Sequence, residues 1–403
     1  MQAKKELSAK TKKNFEPEVL TGVLLIISTV IAIIIANTPL IENYNFLFHD
    51  LSIFKNFNLH MLVNDFLMAI FFLLAGLEIK HEVLHGNLSS VKKATFPVIA
   101  ACGGVIVPAI IFFYFNYKTK FINGIGVPIS TDIAFAVGIF MLLKNKLNPS
   151  LKVFLLSLAV VDDLISIIVI GIAYSSNLNL VGIIGAVVVL SILMFMNKVL
   201  KINKSYLYLM VGAALWYFVY ISGVHSTISG VLLSLAIPSK VYKGDVSVLD
   251  KLLDKLGPLC NYFILPLFAF SNTAINLNVS LDYGQVDKMM LGIMVGLVLG
   301  KPIGIMLFTY IGTKLHLTEK PKNCRWISLL EVSMLAGIGF TMSIFVAEIA
   351  FEGSSQLIDV AKISILMAAV LSASLTYKTI TLKPVLSKSG VLKYLHSGAN
   401  RTE

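Results

Sequence analysis

Two adjacent aspartates, Asp162 and Asp163, lie in an otherwise apolar run, LAVVDDLISIIVIGIA, which extends over residues 158–173. Ionisable side chains inside a segment long enough to cross a bilayer are rare and usually functional. On insertion scales, each one costs about 2.5–3.5 kcal/mol at the bilayer centre. The pair is therefore the first place at which to look for chemistry.

Two other charged residues, Asp132 and Lys301, lie near the middle of other apolar runs. Consecutive residues of a helix point about 100° apart, so Asp162 and Asp163 cannot share Lys301 symmetrically. One aspartate can face the lysine while the other faces a water-filled cavity. A fixed ion pair with no transport role would account for the lysine, but one lysine cannot neutralise three carboxylates.

Carboxylates in this setting are suited to binding both protons and small cations. Burial away from water and a second negative charge nearby both favour the protonated form of a carboxyl group. Carboxylate oxygens are also the ligands that small hard cations prefer. A site that binds either a proton or a metal ion, but not both, has the property on which antiport depends.

The composition indicates that these residues belong to an integral membrane protein. The chain has 403 residues, of which 57% are hydrophobic and 14% are charged, whereas a soluble domain carries about 25% charged residues. The net charge of +11 does not indicate nucleic-acid binding, because the basic residues fall in short loops between apolar runs. The three cysteines form no CxxC pair, so neither a disulfide framework nor a zinc site is predicted.

Apolar runs that approach the length of about 20 residues needed for a bilayer crossing recur along the chain. We therefore predict an all-α, polytopic fold that forms a single integral membrane transporter domain over residues 1–403. The predicted spans number about twelve and cover residues 20–36, 60–82, 95–116, 122–143, 151–175, 179–199, 205–221, 223–237, 257–275, 289–311, 326–349 and 357–380.

Basic residues are distributed unequally between the two sides that these spans define. An even number of spans places both termini on one side, and that side receives 27 of the 33 Lys and Arg residues, against four on the other. Because basic loops stay in the cytoplasm, the tails 1–18 and 383–403 are predicted to be cytoplasmic. The longest loop on the opposite side, 37–59, predicts either a β-hairpin or an irregular interfacial loop.

Glycine and proline interrupt two of the spans. The fourth span, GIGVPISTDIAFAVGIF, is predicted to break at about 127–132, and the eleventh, LAGIGFTMSIF, at about 337–341. Close packing through small residues is an alternative for the eleventh span alone. Spans 3–5 and 10–12 would form triplets of inverted topology, and paired interruptions of this kind mark the midplane site of a transporter.

Broken helices expose the ends of half-helices, which carry partial charges. Asp132 can compensate the positive N-terminal ends, and Lys301 can compensate the negative C-terminal ends. This structural role competes with a direct role of both residues in ion binding.

At these residues the chain resembles the bacterial NhaA-type sodium/proton antiporters. The association of paired interrupted spans with a midplane site is itself based partly on NhaA, so it does not support the resemblance independently. The matching segments follow the family's order over nearly the whole chain, and they read PISTDIAFAVG, LAVVDDLISI, GVHSTISGV, LPLFAFSN, GKPIGI and LAGIGFTMSIFVAEIAF.

The resemblance implies electrogenic exchange of Na⁺ or Li⁺ for protons by alternating access, with a role in Na⁺ and pH homeostasis. It makes Asp163 the principal carrier of cation and proton, and Asp162 the second carboxylate, paired with Lys301. It adds Thr131 and Asp132 to the residues that hold Na⁺ or Li⁺. It also implies a multi-pass protein of the bacterial inner membrane, surrounded by lipid, with no enzymatic activity, no cofactor and no nucleic-acid partner. A homodimer would be held partly through loop 37–59.

The resemblance also implies residues that respond to pH or attract cations. Glu78 and Glu82 match an acidic cytoplasmic funnel, although a solvated helix end is the simpler explanation for each carboxylate taken singly. His225 matches a histidine linked to pH response, and its alternative is a hydrogen-bonded interface residue. Two departures put the pH profile in doubt: His81 stands where an arginine is expected, and Asp254 is the nearest counterpart of a missing Glu-His cluster.

Other classes of membrane protein fit the pattern less well. An intramembrane aspartyl protease needs its two aspartates on different helices. A passive cation channel needs neither a lysine at the same depth nor two broken helices. A solute symporter on the same fold is the closest alternative, and it would need a roomier pocket with polar groups for an organic substrate.

Overall fold

Helices form most of the chain that this computed structural model describes. The described residues are 17–54, 57–86, 88–144, 146–175, 178–241, 246–276, 283–321 and 324–388. In chain order the helices are α1 (Pro17–Ala36), α2 (Ile41–Asn45), α3 (Leu59–His85), α4 (Val91–Asn116), α5 (Ile133–Leu142), α6 (Ser150–Ala173), α7 (Leu180–Lys198), α8 (Ser205–Ile221), α9 (Ile228–Ala236), α10 (Val248–Leu259), α11 (Leu265–Asn272), α12 (283–314), α13 (Trp326–Ala336), α14 (Phe340–Ala350) and α15 (Ser355–Lys388).

The lengths and compositions of these helices confirm a polytopic all-α membrane protein. Within the described residues, seven helices are long and apolar enough to cross a bilayer, or eight if α13 and α14 form one span bent by 45°. The remaining predicted spans contain shorter helices such as α5 and α8. The number of twelve crossings therefore stays a prediction.

Two predicted boundaries are wrong. The segment before the ninth predicted span is the helix α10, not a loop, because it is amphipathic: it buries Leu249, Leu252 and Leu256, while its polar residues lower its hydropathy. The eighth predicted span is helical only over α9. Helix α15 continues to Lys388, into the predicted tail 383–403, and the cytoplasmic location of both tails stays a prediction. Residues 1–16 and 389–403 lie outside the described chain.

The two faces of the molecule are defined by the ends of α1 and α3. We call the face at which α1 ends and α3 begins the outer face, and the opposite one the inner face. At the outer face, two short antiparallel strands, β1 (Ser52–Phe54) and β2 (Phe57–Asn58), form the hairpin expected as one alternative for loop 37–59.

A close crossing of α4 and α12 positions the intramembrane lysine. Gly103 and Gly304 meet at this crossing, where a Cβ on either would lie within 2.2 Å of the other's carbonyl oxygen. The π-helical turn Gly296–Gly300 ends immediately before Lys301. Two glycines and the turn therefore bring the lysine against the interrupted fourth span.

Candidate functional site

Both predicted interruptions are present. In the fourth span, a 3-10 helix (Ile122–Gly126) gives way to a turn and then to residues 130–132, which have no regular secondary structure, before α5 begins. In the eleventh span, the helix is interrupted only over 337–339, between α13 and α14. The prediction that the second break reaches Thr341 is wrong, because the Asp132 carboxylate accepts from the Thr341 N–H and fixes it in the first turn of α14.

Asp132 joins the N-terminal ends of two half-helices. Its Oδ1 accepts from the Phe135 N–H (2.9 Å) in the first turn of α5. Its Oδ2 accepts from the Thr341 N–H (3.0 Å) and from the Thr341 hydroxyl. Its own N–H donates to the Ile338 carbonyl (2.8 Å). The carboxylate therefore compensates two positive helix ends, as the sequence predicts.

Lys301 and Asp162 form a buried ion pair beside this crossing. Lys301 Nζ lies 2.7 Å from Asp162 Oδ2, and both side chains are 1% exposed. The lysine also donates to the Ile129 carbonyl, near the end of the first half of the fourth span. Because a pair in this environment is costly to break, the contact fixes α12 against both α6 and the interruption.

The Thr131 hydroxyl connects this ion pair to the second interruption. Thr131 Oγ1 lies 2.6 Å from Asp162 Oδ2 and 2.9 Å from the carbonyl of Ala336, the last residue of α13. A hydroxyl has one proton, so it donates to one of these acceptors at a time. Two donors thus approach Asp162 Oδ2, while its Oδ1 has no hydrogen-bond partner.

Asp163, one residue further along α6, faces a different environment. Its side chain is 1% exposed, and its Oδ1 has no hydrogen-bond partner. It lines a cavity of about 330 Å³ that Asp132 and Thr341 also line. The two neighbouring aspartates therefore face different partners, as their 100° separation requires: Asp162 faces the lysine and Asp163 faces the cavity.

This cavity extends from the midplane to the inner face. Its wall at the inner end includes Glu18, at the start of α1, and three residues near the end of α3, which are Glu78, His81 and Glu82. Two of the predicted funnel carboxylates therefore lie on the same cavity as Asp163. Carboxylates along a cleft with low-dielectric walls raise the local concentration of cations.

Lys80 lies within the same acidic run but does not contribute its charge to the cavity. Its Nζ donates to the carbonyls of Ser234 (3.1 Å), Leu235 (2.9 Å) and Ile237 (2.6 Å) at the C-terminal end of α9. The negative end of that helix therefore compensates the lysine, and the cavity keeps its negative character.

Two residues predicted for pH response lie away from this cavity. His225 is half-buried: its Nδ1 lies 2.9 Å from Thr227 Oγ1 and its ring packs edge-on against Phe345. Asp254 is exposed on α10 and does not line the cavity; its neighbour Leu253 does. Nearer the inner mouth, Asp250 approaches His81 to 4.0 Å.

Sequence reasoning missed several residues that complete the site. Asn261 lines the cavity beside Leu265, and Thr341 supplies two donors to Asp132. No local signal distinguishes these polar residues from others in apolar helices. Among the described residues, no three His, Cys, Asp or Glu side chains converge as a resident metal site would require.

Comparison with known proteins gives concordant results. A family described as Na⁺/H⁺ antiporter 1 matches residues 12–380. The chain is 41% identical to the Na⁺/H⁺ antiporter NhaA of Helicobacter pylori strain G27, over 90% of this chain and 93% of that protein. It is 44% identical to the Na⁺/H⁺ antiporter NhaA 2 of Aliarcobacter butzleri, over 90% and 94%, and 38% identical to the NhaA protein of Wolinella succinogenes, over 90% and 91%.

Proposed function

The chain belongs to the Na⁺/H⁺ antiporter 1 family, and from that premise we propose that it exchanges cytoplasmic Na⁺ or Li⁺ for external protons by alternating access. The exchange is electrogenic and takes place in the bacterial inner membrane, with both termini in the cytoplasm and the inner face toward it. Its role is in Na⁺ and pH homeostasis.

The observation that carries this proposal is the position of the Asp163 carboxylate at the deep end of the inner cavity. A group that carries an ion must be reachable from one side of the membrane and closed to the other. Asp163 meets the first requirement, since the cavity joins it to Glu78 and Glu82 at the inner end. Its Oδ1 has no hydrogen-bond partner in the protein, so that a proton or a cation can bind there without displacing a protein donor.

Competition at the two aspartates couples the opposing fluxes. A cation that binds between Asp163 and Asp162 competes with Lys301 for the Asp162 carboxylate and displaces protons from the site. Protons that arrive from the outside rebind to the aspartates and displace the cation. Thr131 and Asp132 complete the oxygen-rich surroundings of the cation, and Asp132 also keeps the two half-helix N-termini together.

The proposed architecture has twelve spans, with the triplets 3–5 and 10–12 in inverted topology. The contact between the two interruptions, through the Asp132 N–H and the Ile338 carbonyl, supports this arrangement. Loop 37–59 contributes to a homodimer. His225 and Asp254 keep the pH-related roles that the resemblance implies, although the inner mouth in this chain also offers His81 and Asp250.

A solute symporter remains the nearest alternative on this fold. Among the residues that line the cavity, the acidic side chains are Glu18, Glu78, Glu82, Asp132 and Asp163. Such a lining favours a small cation over an organic anion.

Proteoliposomes containing the purified protein test the exchange. With a pH gradient imposed across the membrane, addition of Na⁺ or Li⁺ is expected to collapse the gradient between pH 6 and 9, and K⁺ serves as the control cation. Movement of net charge is read from a potential-sensitive dye in the same vesicles. Absence of a cation-dependent response over this pH range would reject antiport.

A further inference from the structure

Two histidines at the outer face have no part in the exchange site. His49 follows α2 and is exposed, whereas His60 begins α3 and is half-buried. Their rings lie 4.8 Å apart, tilted by 35°. Because two positive charges at this separation repel strongly, one proton at most is bound by the pair near neutral pH.

His60 contacts an amide pair that joins α3 to α11. Asn64 Nδ2 donates to Asn272 Oδ1 (3.1 Å), and Asn272 Nδ2 donates to Asn64 Oδ1 (2.8 Å). Asn272 Nδ2 also donates to the Phe268 carbonyl (3.0 Å), which fixes the orientation of both amides. The same Asn64 NH₂ group lies 3.3 Å from His60 Nε2, so that nitrogen must be an acceptor and His60 must be neutral.

A proton on His60 Nε2 is incompatible with this arrangement. The new N–H would meet the Asn64 NH₂ group, and two donors cannot bond to each other. The Asn272 oxygen already accepts from Asn64 (3.1 Å), so a protonated His60 would compete with the Asn64 NH₂ group for that oxygen. Protonation therefore weakens the hydrogen bond from Asn64 to Asn272, because it places a second donor beside the Asn64 NH₂ group.

We propose that His49 and His60 form a proton-binding site on the outer face, and that a proton bound there releases the Asn64–Asn272 pair and frees the outer end of α3. The inference rests on the proposed function, because alternating access requires the outer ends of the helices around the site to move. Helix α3 also carries Glu78 and Glu82 at its inner end, so its movement bears directly on the cavity.

The charged groups around the pair set the direction of the pH effect. Partial burial lowers the pKa of His49; Glu348 opposes this, Lys362 reinforces it and Asp50 opposes it. Glu348, His49 and Lys362 also act on His60. The carboxylate is itself bound by the lysine, with Lys362 Nζ 2.6 Å from Glu348 Oε1, so much of its charge is already compensated.

The stability of the closed arrangement depends on pH because the closed and open arrangements bind protons with different affinities. Because the closed arrangement uses His60 Nε2 as a hydrogen-bond acceptor, it binds a proton there more weakly than a hydrated imidazole does. Its stability is therefore complete above the ordinary imidazole pKa of about 6.5 and is lost as the external pH falls below it. Each unit of difference in pKa corresponds to a tenfold shift toward the open arrangement.

Hydrogen–deuterium exchange of the purified full-length protein tests this release without measuring transport. Protection of peptides from the outer ends of α3 and α11, corrected for the intrinsic chemical rate, is compared at pH 7.5 and 5.5. We expect protection to fall about tenfold at the lower pH in the wild type. His60→Gln should keep the same protection at both values, and His316→Gln, an exposed histidine elsewhere, should behave as the wild type.

A second variant keeps the test decisive if His60→Gln does not fold. Asn64→Leu removes the amide pair, so protection should be low at both pH values. Equal protection of the wild type at pH 7.5 and 5.5, or a retained acid response in His60→Gln, would overturn the proposal. Vesicle exchange by the wild type is measured in parallel; if exchange is present and the pH response of protection is absent, only this inference fails.

Discussion

Asp132 and Asp163 are both buried aspartates beside the interrupted helices, and their surroundings are opposite. Both carboxylate oxygens of Asp132 accept hydrogen bonds, from Phe135 and from Thr341. Asp163 has an oxygen with no partner and faces the same cavity. A carboxylate saturated with fixed donors is suited to a structural role, whereas one with an oxygen that no protein group bonds is better suited to binding a proton or a cation.

Asp162 is intermediate between the two. Its Oδ2 is approached by Lys301 and Thr131, whereas its Oδ1 has no partner. The three aspartates therefore form a series of decreasing hydrogen-bond saturation, and we propose that it runs from a structural role at Asp132 to a functional role at Asp163. The predictions below test this series from its functional end to its structural end.

The largest effect is expected at Asp163. Asp163→Asn keeps the size of the side chain but removes its charge and its ability to bind a proton, so exchange in vesicles should fall by more than about 100-fold, of the order attributed to a lost proton-transfer group. The purified variant should elute and unfold like the wild type. Asp287→Asn, at an exposed position of α12 that does not line the cavity, is the matched control. If Asp163→Asn retained exchange, Asp163 would not be the residue that carries the ion.

Removal of Lys301 should mainly affect stability. Lys301→Met leaves Asp162 without its cationic partner in a site where both are 1% exposed, and breaking one side of a buried pair costs about 3–5 kcal/mol. The melting temperature in detergent should drop by several degrees. The double variant Lys301→Met with Asp162→Leu should recover at least half of this loss, since it removes both charges. An unchanged melting temperature for Lys301→Met would mean that the pair is incidental.

Asp132→Asn tests whether Asp132 has a mainly structural role. An amide retains one acceptor oxygen but turns an NH₂ group toward the N–H of either Phe135 or Thr341, so we expect a loss of about 1–3 kcal/mol. Exchange should fall less than in Asp163→Asn. Thr341→Val, which removes only the hydroxyl donor, should give a smaller loss of melting temperature. If Asp132→Asn abolished exchange without loss of stability, Asp132 would be an ion carrier and not a framework residue.

The smallest effect is expected at the inner mouth. Glu78→Gln and Glu82→Gln should each raise KM for Na⁺ about two- to fivefold with little change in the maximal rate, because the carboxylates concentrate cations without touching the midplane. The effect should shrink at high ionic strength, where charges at this distance are screened. A fall in the maximal rate with unchanged KM would place these residues in the exchange step.

Much of this arrangement can be read from the sequence, because the bilayer limits the alternatives. A segment that must satisfy its own backbone hydrogen bonds in lipid is a helix, and Pro128 with neighbouring glycines marks where one is interrupted. Charged residues in such segments are few, so Asp132, Asp162, Asp163 and Lys301 are conspicuous. The 100° angle between neighbours separates the roles of the two aspartates.

Contacts between distant segments could not be predicted in the same way. The donors that saturate Asp132 come partly from Thr341, which lies 209 residues away. Asn272 and Lys80 find partners on helices that no local pattern connects to them. The amphipathic helix α10 lies where the sequence predicts a loop, because its hydropathy is too low for a span.

Proton release on cation binding tests the central claim most directly. Na⁺ is titrated into the purified protein in weakly buffered detergent solution, and both the binding heat and the released protons are recorded from pH 6 to 9. If protons and Na⁺ compete for Asp163, the apparent Kd for Na⁺ should rise about tenfold for each unit of decreasing pH over the acid part of the range, with release of protons at each binding event. Binding of Na⁺ with a Kd independent of pH and without proton release would contradict the account.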